Sequence, residues 1–385
     1  MEKVYDQLLA WCRDQDFAGH DPYDALNSRT FQATPLAGSR NARLLWTQLV
    51  KRSPIDLRTL ARVPVQKNAK GIALFALAHL AIYRRSKNEA VKLQTIDFLT
   101  TLLAMKSRGL SGTAWGYNFD WQSRNFFAPR GTPTIVPTAF AARAFVEAAI
   151  AFRNQEYLAT VRSVCDFILH DLPRAVETEN ELCFGYAPNA ETRIFNASLL
   201  AAETLAGAGK VLEEPALCQE AERAARYVVN QQRADGSWTY GAEPGQSWID
   251  NFHTAYILFS LERIMTACSL EGEFQAAWER GYGYWKMTFF LENGCPKYYH
   301  DGPYPVDTHA AASAIVTLLE CRERDETAAL LAQRIATWAI DNLRDEQGFF
   351  YYQRRRFYTV RKPFIRWTQA WMLYALARLR EEKTD

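Results

Sequence analysis

"GSWTYGAEPGQSWIDNFHTAYILFSLERIMTAC", residues 236–268, is the stretch whose reading decides the fold. Gly236 opens a turn, and Trp238, Tyr240 and Trp248 crowd it with rings. From Asn251 onward the chain is apolar on nearly all sides. A helix without a polar face has to be surrounded by protein. Asp250 stands where an N-cap belongs, since a carboxylate accepts from the free N–H groups of a first turn. The next run, "EFQAAWERGYGYWKMTFF" (273–290), keeps its charges to one side, as an outer helix does.

This pattern of aromatic turn, inner helix and outer helix recurs. "TAWGYNFDW" (113–121), "LCFGYAPN" (182–189), "CPKYYHDGP" (295–303) and "GFFYYQRR" (348–355) are further turns, and "HDPYDALNS" (20–28) is a degenerate one. The markers Tyr117, Tyr186, Tyr240, Tyr299 and Tyr352 stand 53–69 residues apart. Hairpins that cannot bury their faces alone must stack. Because the last helix is again of the inner type, a closed double ring is expected. The expectation is an all-α, single (α/α)6-type toroid of about six hairpins, one domain over residues 1–385, with its aromatic loops at one mouth.

Bulk properties narrow the function. The chain carries 45 Lys+Arg against 43 Asp+Glu, which speaks against a nucleic-acid or membrane-surface partner. Seven scattered cysteines without a CxxC pair read as small hydrophobes. The N-terminus has no signal-peptide core, and no run of 18 apolar residues is uninterrupted, so a cytoplasmic protein without a membrane span is expected.

The mouth should gather the polar residues that precede or open inner helices. His253, three residues after Asp250, is the leading acid/base candidate, with the N-cap role of Asp250 as the structural alternative. His309 with Asp307 opens the next inner helix, and two imidazoles on adjacent helices could flank a sugar ring as two bases. Asp120, with Asp24, Asp250 and Asp307, offers the carboxylate pairs of a glycosidase. Ligand contacts are expected from Tyr23, Asp24 and Asn27, from Trp121, Gln122 and Arg124, and from Tyr186 and Asn196. Trp238, Tyr240, Asn251, Tyr299, Tyr352, Arg354, Arg366, Trp367 and Gln369 complete the set. Aromatic faces suit pyranose rings, and Arg suits carboxylate or phosphate. No cofactor is expected: zinc could only be assembled from His253, His309, His300, Asp307 and Cys295, which lack ligand spacing.

"NQQRADGSWTYG" (230–241) and "DNFHTAYIL" (250–258) resemble motifs of the terpene cyclase and protein prenyltransferase superfamily, whose fold is a helical toroid. "DPYDALNS", "WGYNFDWQSR", "TPTIVPTAF" and "WIDNFHTAYIL" are similar to the VpsJ-like proteins of bacterial exopolysaccharide clusters. That resemblance implies a role in polysaccharide biosynthesis, with a sugar or oligosaccharide (acidic or lipid-linked among the options) as ligand and other assembly proteins as partners. An Asp-rich DxDD segment and an Asp-x-Cys zinc pattern are both missing, against isoprenoid chemistry. Three functions stand. One is a carbohydrate-active enzyme of epimerase, hydrolase or lyase type. The others are an isoprenoid cyclase or prenyltransferase, and a glycan-binding toroid without catalysis.

Overall fold

The structure, a computed structural model, describes residues 1–123 and 126–381. Its helices are α1 (Glu2–Asp14), α2 (Arg29–Gln32), α3 (Arg40–Arg52), α4 (Leu57–Leu60), α5 (Ala69–Ser86), α6 (Glu89–Ala104), α7 (Ile135–Phe152) and α8 (Glu156–His170). Then follow α9 (Phe195–Leu212), α10 (Pro215–Asn230), α11 (Asn251–Cys268), α12 (Glu271–Phe289), α13 (Thr308–Glu320), α14 (Ala328–Leu343) and α15 (Trp371–Glu381). A π-helical turn, Ile365–Ala370, leads into α15.

The odd-numbered helices from α5 to α15 form an inner ring in which each packs on the next, and α15 returns to α5. Helices α6, α8, α10, α12 and α14 back the first five of them. The sixth outer position is filled by α1, which packs on α15. The two ends of the chain therefore make one hairpin, and the ring is a closed (α/α)6 toroid.

Sequence sets the layers. In α5 every residue from Ala69 to Ala81 is buried, which only a helix enclosed on all sides can satisfy. In α10 the buried Leu217, Ala221, Ala224, Ala225 and Val228 lie on one stripe, and the opposite face is solvated. The inner helix α7 has the length and apolarity to cross a bilayer, and 72% of it is buried inside the ring.

Inner helices α5, α7, α9 and α11 each end in a left-handed residue (Lys87, Arg153, Glu213 and Ser269), giving tight turns into the outer helix. The long connections lie at the other end, where the inner helices begin. They hold three small sheets, including Trp121–Gln122 with Phe127–Ala128, and Gln353–Arg354 between Val306–Asp307 and Thr359–Val360. Each aromatic turn wedges against an outer helix. Gly348 has φ of +102° and its Cβ position lies 3.1 Å from the Gln7 carbonyl of α1, so this turn locks the chain's end to its beginning.

At the tight-turn end, ion pairs link all six inner helices in a circuit. Arg84 of α5 meets Glu147 of α7 at 2.9 Å, and Arg143 of α7 meets Glu203 of α9 at 2.5 Å. Arg263 of α11 lies 3.7 Å from Glu203 and 2.9 Å from Glu320 of α13. Arg378 of α15 reaches Glu320 at 3.1 Å, and Glu381 returns to Arg84 at 2.5 Å. The charges enclose a cavity of about 360 Å³ lined by Arg143, Glu203, Glu262, Arg263, Glu320 and Arg378, among others, and by no residue of the aromatic mouth.

Candidate active site at the mouth of the ring

Asp250 is buried and caps α11: one oxygen accepts from the His253 backbone N–H at 2.9 Å. Its other oxygen accepts from the Trp248 indole N–H at 3.1 Å and lies 2.6 Å from His253 Nδ1. An ionised carboxylate only accepts, so Nδ1 carries the proton and Nε2 is left with a lone pair. The imidazole side chain is 20% exposed, and no hydrogen bond engages Nε2 among the described residues. His253 is thus a fixed imidazole with its basic nitrogen free.

Rings surround it. Tyr240 stacks on Trp248 at 4.4 Å and stands 4.6 Å from the His253 ring. Phe252 lies against His253 at 3.9 Å and Tyr298 at 5.6 Å. A second cluster comprises Trp121, Tyr117, Phe126 and Tyr186, with Trp121 at 5.3 Å from Tyr186 and 6.1 Å from Tyr117. A third joins Tyr23 to Trp367 at 5.5 Å, with Lys51 Nζ 4.0 Å from the Tyr23 ring. Tyr23, Lys51, Tyr117, Trp121, Tyr240, Trp248 and Tyr298 all keep accessible surface. Burial nonetheless raises the phenols of Tyr23, Tyr117, Tyr240 and Tyr298 and lowers the Lys51 amine to about 7.

Beneath this layer runs a buried polar chain. Lys70 Nζ donates to the Tyr256 hydroxyl at 2.8 Å, which lies 2.9 Å from His309 Nε2. His309 is 1% exposed, its Nδ1 has no hydrogen-bond partner among the described residues, and Phe252 and Trp367 cover it at 4.8 and 4.2 Å. Burial, then the Lys70 and Arg366 charges, holds it well below the ordinary histidine range. The expected pair of open bases is therefore corrected to one, because Phe252 sits between the two imidazoles.

Several other expected contacts are structural. Trp238 is 1% exposed and donates to the Val228 carbonyl at 2.8 Å, as Trp115 does to Leu102 at 2.7 Å. Its ring fills the space left by Gly281, whose Cβ position lies 2.2 Å from it, so it staples α12 to the turn and offers a sugar no face. Asp307 is fully buried and accepts from the His309 N–H, Trp367 Nε1 and Gln353 Nε2; it caps α13 rather than touching the His309 ring. Asp24 pairs with Arg58 at 2.8 Å in the interior. Asn251 bonds the Lys297 carbonyl and Trp285, and Gln369 bonds the backbone of Phe350 on both sides. Asn196 and Tyr352 are buried, at 3% and 1% exposed.

The remainder ring the mouth. Asn27 donates to the Asn118 carbonyl, and its Oδ1 accepts from the Asp120 N–H; Asp120 itself accepts from the Arg130 N–H at 2.7 Å. Gln122 accepts from Arg43 at 2.9 Å. Tyr299 is 36% exposed at the rim, and Arg354 donates to Asn342. Arg366 is buried in a bidentate pair with Asp21, at 2.6 and 2.8 Å, beneath the Tyr117 ring. Arg124 lies outside the described residues. Sequence reasoning passed over Lys51, Asp21, Tyr298 and Trp248 as site residues. Trp248 could have been found from its place two residues before Asp250, whereas nothing marks Lys51 in "LLWTQLVKR" (44–52). No three His, Cys, Asp or Glu side chains among the described residues converge as a metal ligand set.

The chain matches no protein-family profile and no curated protein sequence. In three dimensions it is similar to cellobiose 2-epimerase from Bacillus thermoamylovorans, with a TM-score of 0.64 at 14% identity over 84% of this chain and 90% of that one. The GH76 α-mannanase from Bacteroides thetaiotaomicron superposes with a TM-score of 0.61 at 12% identity, over 83% of this chain and 88% of the other. An unsaturated glucuronyl hydrolase specific for heparin gives 0.60 at 14% identity, over 82% and 87%. These likenesses establish the α/α toroid.

Proposed function

We propose that the chain is a carbohydrate-active enzyme that moves a proton on a sugar held in the ring-lined mouth, in the manner of an isomerase or epimerase. The observation that carries this reading is the His253 imidazole, fixed through Nδ1 by Asp250 with Nε2 open among aromatic faces. A base so placed takes the proton from the carbon beside a sugar carbonyl; the electron pair moves onto the carbonyl oxygen as an enediolate, and the imidazolium returns the proton. With one open imidazole the carbon-bound proton goes back on the face it left while the O2 hydroxyl proton passes to O1, which favours transfer between C2 and C1 over inversion at C2. Two of the expected carboxylates are poorly suited to glycosidic cleavage, since Asp24 is paired with Arg58 and Asp307 is sealed. The charged groups in the mouth also speak against isoprenoid chemistry. The resemblance to VpsJ-like proteins supports a setting in bacterial polysaccharide assembly, inside the cell. The three solved toroids named above, all enzymes that act on sugars, support the substrate class.

The test is solvent deuterium exchange into reducing sugars followed by NMR. Wild-type protein should place deuterium at C1 or C2, and His253→Ala should lose about 10²–10⁴ in rate while staying folded. Depolymerisation of a glycan without exchange would replace this reading with a hydrolase. Binding without either reaction would make the chain a glycan-binding toroid.

A further inference from the structure

The cations of the mouth differ in what they already hold. Arg366 is committed to both oxygens of Asp21, with each side chain 3% exposed. Arg354 donates to Asn342 at 3.0 Å. Lys51, in the last turn of α3, has no carboxylate partner among the described residues; its Nζ donates only to the neutral Tyr23 hydroxyl at 2.7 Å. It lies 4.0 Å from the Tyr23 ring centroid and 5.8 Å from that of Trp367, in the layer of rings that His253 also faces. Arg355, whose charge is felt at Lys51, keeps a buried Nε without a hydrogen-bond partner among the described residues.

We propose that Lys51, backed by Arg355, is an anion subsite of the mouth and holds a carboxylate or phosphate carried by the sugar on which His253 acts. This rests on the reading of the mouth as a sugar site and names the substrate class, an acidic or phosphorylated sugar. An ammonium packed among rings without its own counter-ion gains most from an anion supplied by the ligand, and the half-buried Tyr23 ring beside it offers the sugar an apolar face. The charges felt at Lys51 are those of Asp307 at the start of α13, Arg52 on its own helix, Asp21 of the N-terminal loop and Arg355. Burial outweighs the two carboxylates and brings the amine to about 7 in the unliganded protein. An arriving anion restores its proton, so affinity should be high at pH 6 and fall as pH rises past 7.

Calorimetric titration with D-glucuronate, glucose 6-phosphate, glucose and inorganic phosphate, at pH 6 and pH 8.5, tests this. The expected result is at least tenfold tighter binding of the acidic sugars than of glucose at pH 6, shrinking at pH 8.5. The tighter of the two identifies the anionic group. Lys51→Met should abolish the preference, and Lys51→Arg should keep it at both pH values. If glucose and the acidic sugars bind equally, or Lys51→Met retains the preference, the subsite is refuted while the sugar reading stands. Should phosphate bind through Lys51 and no sugar bind, the anion site survives and the sugar reading fails. If neither phosphate nor any sugar binds, both are overturned.

Discussion

The carboxylate of Asp250 serves His253 twice, capping its backbone N–H at 2.9 Å and holding its Nδ1 at 2.6 Å. The two duties can be separated. Asp250→Asn preserves a good N-cap and gives up the bond from the Trp248 indole, so the loss of stability should stay within about 2 kcal/mol. An amide nitrogen can only donate to the ring, which reverses the tautomer and puts the proton on Nε2. Deuterium exchange should then fall by about 10²–10⁴. Unchanged exchange in this variant would remove the dyad from the mechanism.

Asp307 should leave a signature in stability rather than in rate. Burial raises its carboxyl from 3.8 to about 6, so the folded protein binds this proton more tightly than the unfolded chain. The stabilisation is complete below pH 4 and is lost as pH climbs through 6, on the order of 3 kcal/mol in total. Asp307→Asn should flatten this part of the profile in denaturant titrations between pH 4 and pH 7. A variant with the wild-type slope there would refute the assignment.

Glu320 acts in the opposite sense. Arg263 and Arg378 offset its burial and hold its carboxyl well below the usual range, so its stabilisation is present above the unfolded pKa and disappears as pH falls. Glu320→Gln leaves two arginines facing a neutral amide. It should cost about 3 kcal/mol at pH 7, measured by chemical unfolding, and lessen the protein's sensitivity to acid.

Trp238 and Tyr240, two residues apart, should separate cleanly. Trp238→Phe leaves the Val228 carbonyl without its donor, and about 1–3 kcal/mol of stability should be lost. Sugar affinity should stay within twofold. Tyr240→Ala removes a ring 4.6 Å from His253 and should weaken sugar binding about tenfold with less effect on folding. The reverse pattern would restore Trp238 as a sugar platform.

The ring was legible because its unit repeats: an apolar helix, an amphipathic helix and a turn such as that at Gly348 recur down the chain. Asp250 and His253 were legible for a local reason, an N-cap spaced one turn from an imidazole. Which rings face the mouth was not. Trp238 and Trp248 share a loop, and only the gap at Gly281 on a distant helix draws the first inward. Lys51 escaped notice because α3 belongs to the irregular segment before α5, outside the repeat. Arg366 looked free in "RKPFIRW" (361–367), and its partner Asp21 lies 345 residues away.

The hairpin made of α1 and α15 sets an order of events during synthesis. Helix α1 is made before every helix of the inner ring, yet the partner for its buried Tyr5, Leu8 and Cys12, α15, follows the other five. At roughly 5–20 residues per second, that apolar face waits about 20–70 s on the ribosome for its mate. Until then α1 and the flank of α5 that α15 will cover both lack the partner they have in the closed ring. Ring closure, and with it the convergence of Arg366 on Asp21 at the mouth, is therefore among the final acts of folding.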